Sequence, residues 1–89
     1  MQKFEIGKVY ELTYSGGVGY DAWQIKAKYK VLKRTEKTMF IGTGTDYKIC
    51  YRVKIHTLTN RSFNLEDSEA FEAREYFTRP FVYAIDEVK

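Results

Sequence analysis

Apolar and polar residues alternate with a period of two over most of this chain. Between Trp23 and Arg34 the apolar set Trp23, Ile25, Ala27, Tyr29 and Val31 interleaves with Gln24, Lys26, Lys28 and Lys30. That pattern predicts a strand with one buried face. Leu32 follows Val31 directly and breaks the phase, as a β-bulge or the end of pairing would. From Tyr47 to Thr57 the alternation returns, with Tyr47, Ile49, Tyr51, Val53 and Ile55 set against Lys48, Cys50, Arg52, Lys54 and His56. Lys8 to Tyr14, rich in β-branched and aromatic residues, predicts a first strand. After a turn at Thr35-Glu36, Lys37 to Gly42 predicts a return strand with Met39 and Ile41 on one face and Phe40 on the other. A turn at Thr59-Asn60, a short strand from Arg61 to Leu65 and a last strand from Phe81 to Val88 complete the extended elements.

At Glu66 the pattern changes. From there to Phe77 no β-branched residue occurs, and Glu66, Asp67 and Glu69 stand where carboxylates favour a helix N-terminus. The stretch predicts one helix of about three turns, limited by Pro80, which disfavours helical backbone at Arg79. Five to six short strands and one helix near the C-terminus predict an α+β fold. Its sheet is expected to be antiparallel and strongly bent, or a partly open β-barrel of the SH3-like or OB-like kind. A flat sheet crossed by the helix is the rival arrangement.

With 89 residues there is room for a single domain, 1–89. The aromatic share of 17% argues against a disordered chain. No apolar run reaches the roughly 18 residues of a transmembrane helix, so no membrane partner is expected. Met1 to Glu5 lacks the apolar segment of a leader, and the lone Cys50 has no disulfide partner, which together predict a cytoplasmic location.

Site chemistry is sparse. Cys50 and His56 share one strand, where six residues span roughly 20 Å, beyond the hydrogen-bond reach that a nucleophile and its base need. No zinc-ligand spacing appears, and the glycine loops Ser15 to Gly19 and Gly42 to Asp46 match no phosphate-binding motif. The reading is therefore non-enzymatic, with no catalytic residue, metal or cofactor.

Charge is more informative. The net +3 divides into +7 over residues 1–65 and −4 over residues 66–89. Lys26, Lys28 and Lys30 project from one strand face, and Lys48, Arg52 and Lys54 from the polar face of another. If both strands turn their apolar faces to one core, both basic rows face outward, with Phe40 between them. Cations flanking an exposed ring suit phosphates and a stacked base, although outward lysines also serve as plain solvated faces or edge protection. The acidic helix, with Glu66, Asp67, Glu69, Glu72 and Glu75 on its perimeter, reads either as a solvated outer face or as a surface for a basic protein.

The stretch Tyr29-Lys30-Val31-Leu32-Lys33-Arg34-Thr35-Glu36-Lys37-Thr38-Met39-Phe40-Ile41 resembles a hairpin of small proteins carried by phages and mobile elements of Gram-positive bacteria. Ile6-Gly7-Lys8-Val9-Tyr10 and Pro80-Phe81-Val82-Tyr83-Ala84-Ile85-Asp86 resemble the ends of that family. The resemblance implies a mobile-element accessory protein in a bacterial host cell, with no catalytic residues to carry over.

The leading expectation is a phage or mobile-element binding domain acting on nucleic acid or a nucleoprotein. Lys26, Lys28, Lys30, Lys48, Arg52 and Lys54 would meet phosphates and Phe40 a base. The alternatives are an anti-CRISPR-like inhibitor of a host defence protein, docking through Glu66, Asp67, Glu69, Glu72 and Glu75, and a structural phage protein that forms a homo-oligomer.

Overall fold

The computed structural model describes residues 1–58, 67–76 and 78–89. The turn expected at Thr59-Asn60 and the strand expected from Arg61 to Leu65 lie outside the described residues, as do Glu66 and Phe77 of the expected helix.

Alternation becomes structure in β1 (Val9–Gly16), β2 (Trp23–Arg34), β3 (Thr38–Thr43) and β4 (Ile49–Lys54), an antiparallel meander in chain order. A second antiparallel sheet holds β5 (His56–Leu58), β6 (Ser68–Glu72) and β7 (Phe81–Tyr83). The inward residues of both sheets meet in one core, where Tyr10, Tyr29, Val31, Ile41, Phe71 and Val82 are each no more than 1% exposed. Phe71 anchors the contact between sheets, its ring centroid 5.3 Å from that of Tyr29 and 5.5 Å from that of Phe4.

Short links tie the sheets together. The alternating run expected from Tyr47 to Thr57 divides at Ile55, where the chain leaves one sheet for the other. Ile55 N–H still donates to the Lys37 carbonyl at 2.8 Å, so the corner is hydrogen-bonded. The expected last strand also divides. Phe81 to Tyr83 joins β6, the chain turns, and Glu87 then bridges to Tyr10 on the edge of β1. At the other terminus Gln2 bridges Ser68 in parallel, with Gln2 N–H donating to the Asp67 carbonyl and Glu69 N–H to the Gln2 carbonyl.

This architecture corrects the expected α+β class. Among the described residues no helix reaches seven residues, and two antiparallel sheets, neither closed into a barrel, replace the single bent sheet. The expected C-terminal helix is in fact β6 followed by a turn at Arg74-Glu75. Its lack of β-branched residues carries only a weak local preference, which tertiary contacts override. As a strand, the segment sends Phe71 into the core and Glu69 toward Arg34, and β5 and β7 satisfy its backbone on both sides.

Candidate functional site

Register decides which side chains share the outer face of the large sheet. On β1 and β2 the pairs Val9–Lys30, Glu11–Lys28 and Thr13–Lys26 stand opposite one another. Tyr10, Leu12, Tyr29 and Val31 point inward, so these partners point out. Lys26 and Lys28 are exposed and Lys30 is half-buried. Their spacing of two residues separates neighbours by about 6.7 Å along the strand.

Between Val31 and Lys33 the pairing register shifts and then resumes, so of the two expectations at Leu32 the structure has the bulge and not the end of pairing. A one-residue slip exchanges the two faces of a strand. Beyond it Arg34 pairs with Met39 on the inner side, and Lys33 pairs with Phe40 on the outer side. Phe40 in turn lies opposite Arg52 on β4. The result is a row of three directly opposed residues, Lys33, Phe40 and Arg52, with the ring 38% exposed between two exposed cations. Leu32, Arg34, Thr35, Thr38 and Met39 complete an open groove of about 750 Å³ around it. Lys54, opposite Thr38, extends the basic edge of the groove.

Lys33 was absent from the residues expected at this face. Counting parity across Leu32 as though the strand were regular places Lys33 inside and Arg34 outside. Counting through a bulge reverses both.

Lys48 sits apart from the strand row. It follows a 3-10 turn, Thr45–Tyr47, that folds back over β3. Gly42 permits this, because a Cβ there would lie 2.5 Å from the Tyr47 carbonyl oxygen. Cys50 Sγ lies 3.6 Å from the carbonyls of Tyr47 and Lys48, so the thiol helps hold the turn. Gly42 stands between Lys30 and Cys50 in the register. The turn therefore rises between the β2 lysines and β4 at that level, and the two basic rows join across the Lys33–Phe40–Arg52 end.

The described acids of the expected helix, Asp67, Glu69, Glu72 and Glu75, do not line one surface. Glu69 is buried, with its carboxylate accepting from Arg34 Nη1 and Nη2 at 2.7 and 2.9 Å and from Phe4 N–H at 2.8 Å. Burial pushes its carboxyl up, and the Arg34 and Phe4 hydrogen bonds with the Arg34 charge outweigh that and hold it below its usual value. Glu75 accepts from the Tyr29 hydroxyl at 3.0 Å and from the Tyr51 hydroxyl. Burial, reinforced by the Glu75 carboxylate, pushes both phenols up. Asp67 is half-buried ahead of β6, and Glu72 is half-buried on β6 opposite Phe81.

His56 and Cys50 do not meet, since the His56 ring packs edge-on against Phe81 with centroids 5.6 Å apart. Among the described residues no group of three or more His, Cys, Asp or Glu side chains is placed to hold a metal ion. No helix among them is long and apolar enough to cross a membrane.

Trp23 is among the aromatic residues that depart from their expected place, as is Tyr83, because Val82 of β7 and the following Ala84 are the buried residues there. Trp23 has the inward parity of β2, yet it is 45% exposed at the last pair of the β1–β2 ladder. Its indole lies over Gly16, directly opposite, and packs 5.2 Å from Tyr14. No protein-family model matches this chain, and no curated protein or solved structure is significantly similar to it.

Proposed function

We propose that this chain is a non-enzymatic binding domain that engages nucleic acid, free or within a nucleoprotein, through the outer face of its four-stranded sheet. The observation that carries this reading is the opposed row Lys33, Phe40 and Arg52, which continues into Lys28 and Lys30 on one side and Lys54 on the other. Cations here neutralise phosphates and release their counterions. The central ring offers a stacking platform for an unpaired base. Duplex bases hide their faces inside the stack, so the arrangement suits single strands better. The setting is that of a phage or mobile-element accessory protein, as the resemblance of the hairpin from Tyr29 to Ile41 implies.

The test is a salt titration of binding to single- and double-stranded DNA and RNA. Affinity is expected to fall steeply with salt, and a Lys26→Glu, Lys28→Glu, Lys30→Glu variant is expected to bind none of them. Absence of binding at low salt, or full binding by that variant, refutes the reading.

A further inference from the structure

A second surface lies between the edge of β1 and β7. Beyond β7 the chain pairs with the edge of β1, as Glu11 N–H donates to the Asp86 carbonyl at 3.0 Å and Val88 N–H to the Val9 carbonyl at 2.8 Å. That ladder stops after Glu11, because Asp86 N–H folds back onto the Tyr83 carbonyl at 3.1 Å. The backbone groups of Thr13, two residues on from Glu11, therefore point away from β2 and, among the described residues, meet no strand. On the other side, Ala84 N–H donates to Glu69 and Ala73 N–H to Pro80, so the intervening Phe81 aims its backbone away from β6. The two sheet edges leave an unsealed seam under an open groove of about 470 Å³.

The walls of the groove are of two kinds. Phe81 and Tyr83 line one side with rings 6.5 Å apart, beside Ile85, and Tyr83 and Ile85 are 37% and 46% exposed. Glu11 and Asp86 supply two carboxylates that, among the described residues, form no ion pair, whereas Glu87 is held by Lys8 at 2.9 Å. Burial and the neighbouring Glu11 push the Asp86 carboxyl up.

We propose that this seam docks an extended cationic segment of a protein partner, with an arginine or lysine head between Glu11 and Asp86 and its methylene stem along Phe81 and Tyr83. The rings face the cation and cover its stem. The outward backbone groups of Thr13 and Phe81, unbonded among the described residues, offer the segment main-chain hydrogen bonds, as at other exposed sheet edges. Glu11 stands opposite Lys28, so the seam borders the basic face across β1, and its hold on a cationic segment does not require that face to bind nucleic acid.

A labelled peptide of alternating arginine and valine, titrated by fluorescence anisotropy at low salt, tests the assignment. Wild-type protein is expected to bind it saturably. A Glu11→Gln, Asp86→Asn variant is expected to bind about ten-fold more weakly. An Asp21→Asn, Glu36→Gln variant of identical net charge is expected to bind as wild type does. No saturable binding, or equal weakening by both double variants, overturns the proposal. If the first double variant does not fold, Tyr83→Ala replaces it, since Tyr83 is exposed. Unchanged affinity in that variant then overturns the proposal, and a loss of about ten-fold supports it.

Discussion

Arg34 and Glu69 face each other across the core as a two-pronged ion pair, Nη1 to Oε1 at 2.7 Å and Nη2 to Oε2 at 2.9 Å, joining β2 to β6. The same guanidinium donates to the Phe4 carbonyl at 2.7 Å, and the same carboxylate accepts from Phe4 N–H at 2.8 Å. The pair therefore ties three separate stretches of chain. Glu69→Gln leaves Arg34 short of its counter-charge and is expected to cost about 3 kcal/mol. In a domain of this size each kcal/mol lowers the melting midpoint by about 4–8 °C, which a thermal melt followed by circular dichroism reads directly.

Acid should act through the same carboxylate. Its folded pKa lies below the ordinary value of about 4.3. The stability it contributes is thus present above that value and lost as pH falls through the folded one. Asp86 works in the opposite sense, because its raised folded pKa contributes stability at low pH that is lost as pH rises. Urea denaturation between pH 2 and 6 is expected to show a falling acid limb in wild type that flattens in Glu69→Gln.

Glu75 bridges the Tyr29 and Tyr51 hydroxyls, and both phenols sit above the ordinary value of about 10. Their folded pKa values are raised, so the associated stability is present below about pH 10 and lost as pH rises through the folded values. Glu75→Ala leaves the largely buried Tyr29 hydroxyl without its acceptor and is expected to cost about 1–3 kcal/mol. Tyrosinate absorbance during alkaline titration is expected to appear at lower pH in that variant than in wild type.

Gly42 carries the turn that bears Lys48. An added methyl meets backbone, the Tyr47 carbonyl at 2.5 Å, and backbone cannot swing aside as a flexible side chain would. Gly42→Ala is expected to cost about 1–3 kcal/mol, the usual range for overpacking a tight contact. Amide chemical shifts from Thr45 to Lys48 are expected to move with it, and a variant with unchanged shifts and melting midpoint contradicts the account.

Phe40 is the ring of the basic groove and contributes little to the core, so Phe40→Ala is expected to leave the melting midpoint near that of wild type. It is expected to weaken single-stranded binding by about 1–3 kcal/mol, the worth of one base stacked on an aromatic side chain. Arg52→Gln is instead expected to reduce the slope of log affinity against log salt by about 0.7 on single strands, one phosphate contact fewer. Together the two measurements separate stacking from charge.

The alternating stretches were legible from the chain alone. Extended backbone sends successive side chains to opposite faces whatever they pack against, so the parity of Tyr29 and Val31, or of Met39 and Phe40, is a local property. The same reasoning located β1, β2 and β3 to within two residues, and marked Leu32 as a bulge or the end of pairing. Tertiary structure decided the rest. Between Ser68 and Glu72 local preference pointed to a helix, but hydrogen-bonding edges on both sides and partners for Phe71 and Glu69 lie far away in sequence, at Phe4, Tyr29 and Arg34. The corner at Ile55, the inward turn of Arg34 and the arrival of Lys33 beside Phe40 likewise depend on which strands pair and in what register. Periodicity reports the two faces of each strand, and only the packing of distant strands determines which faces and edges come to lie side by side.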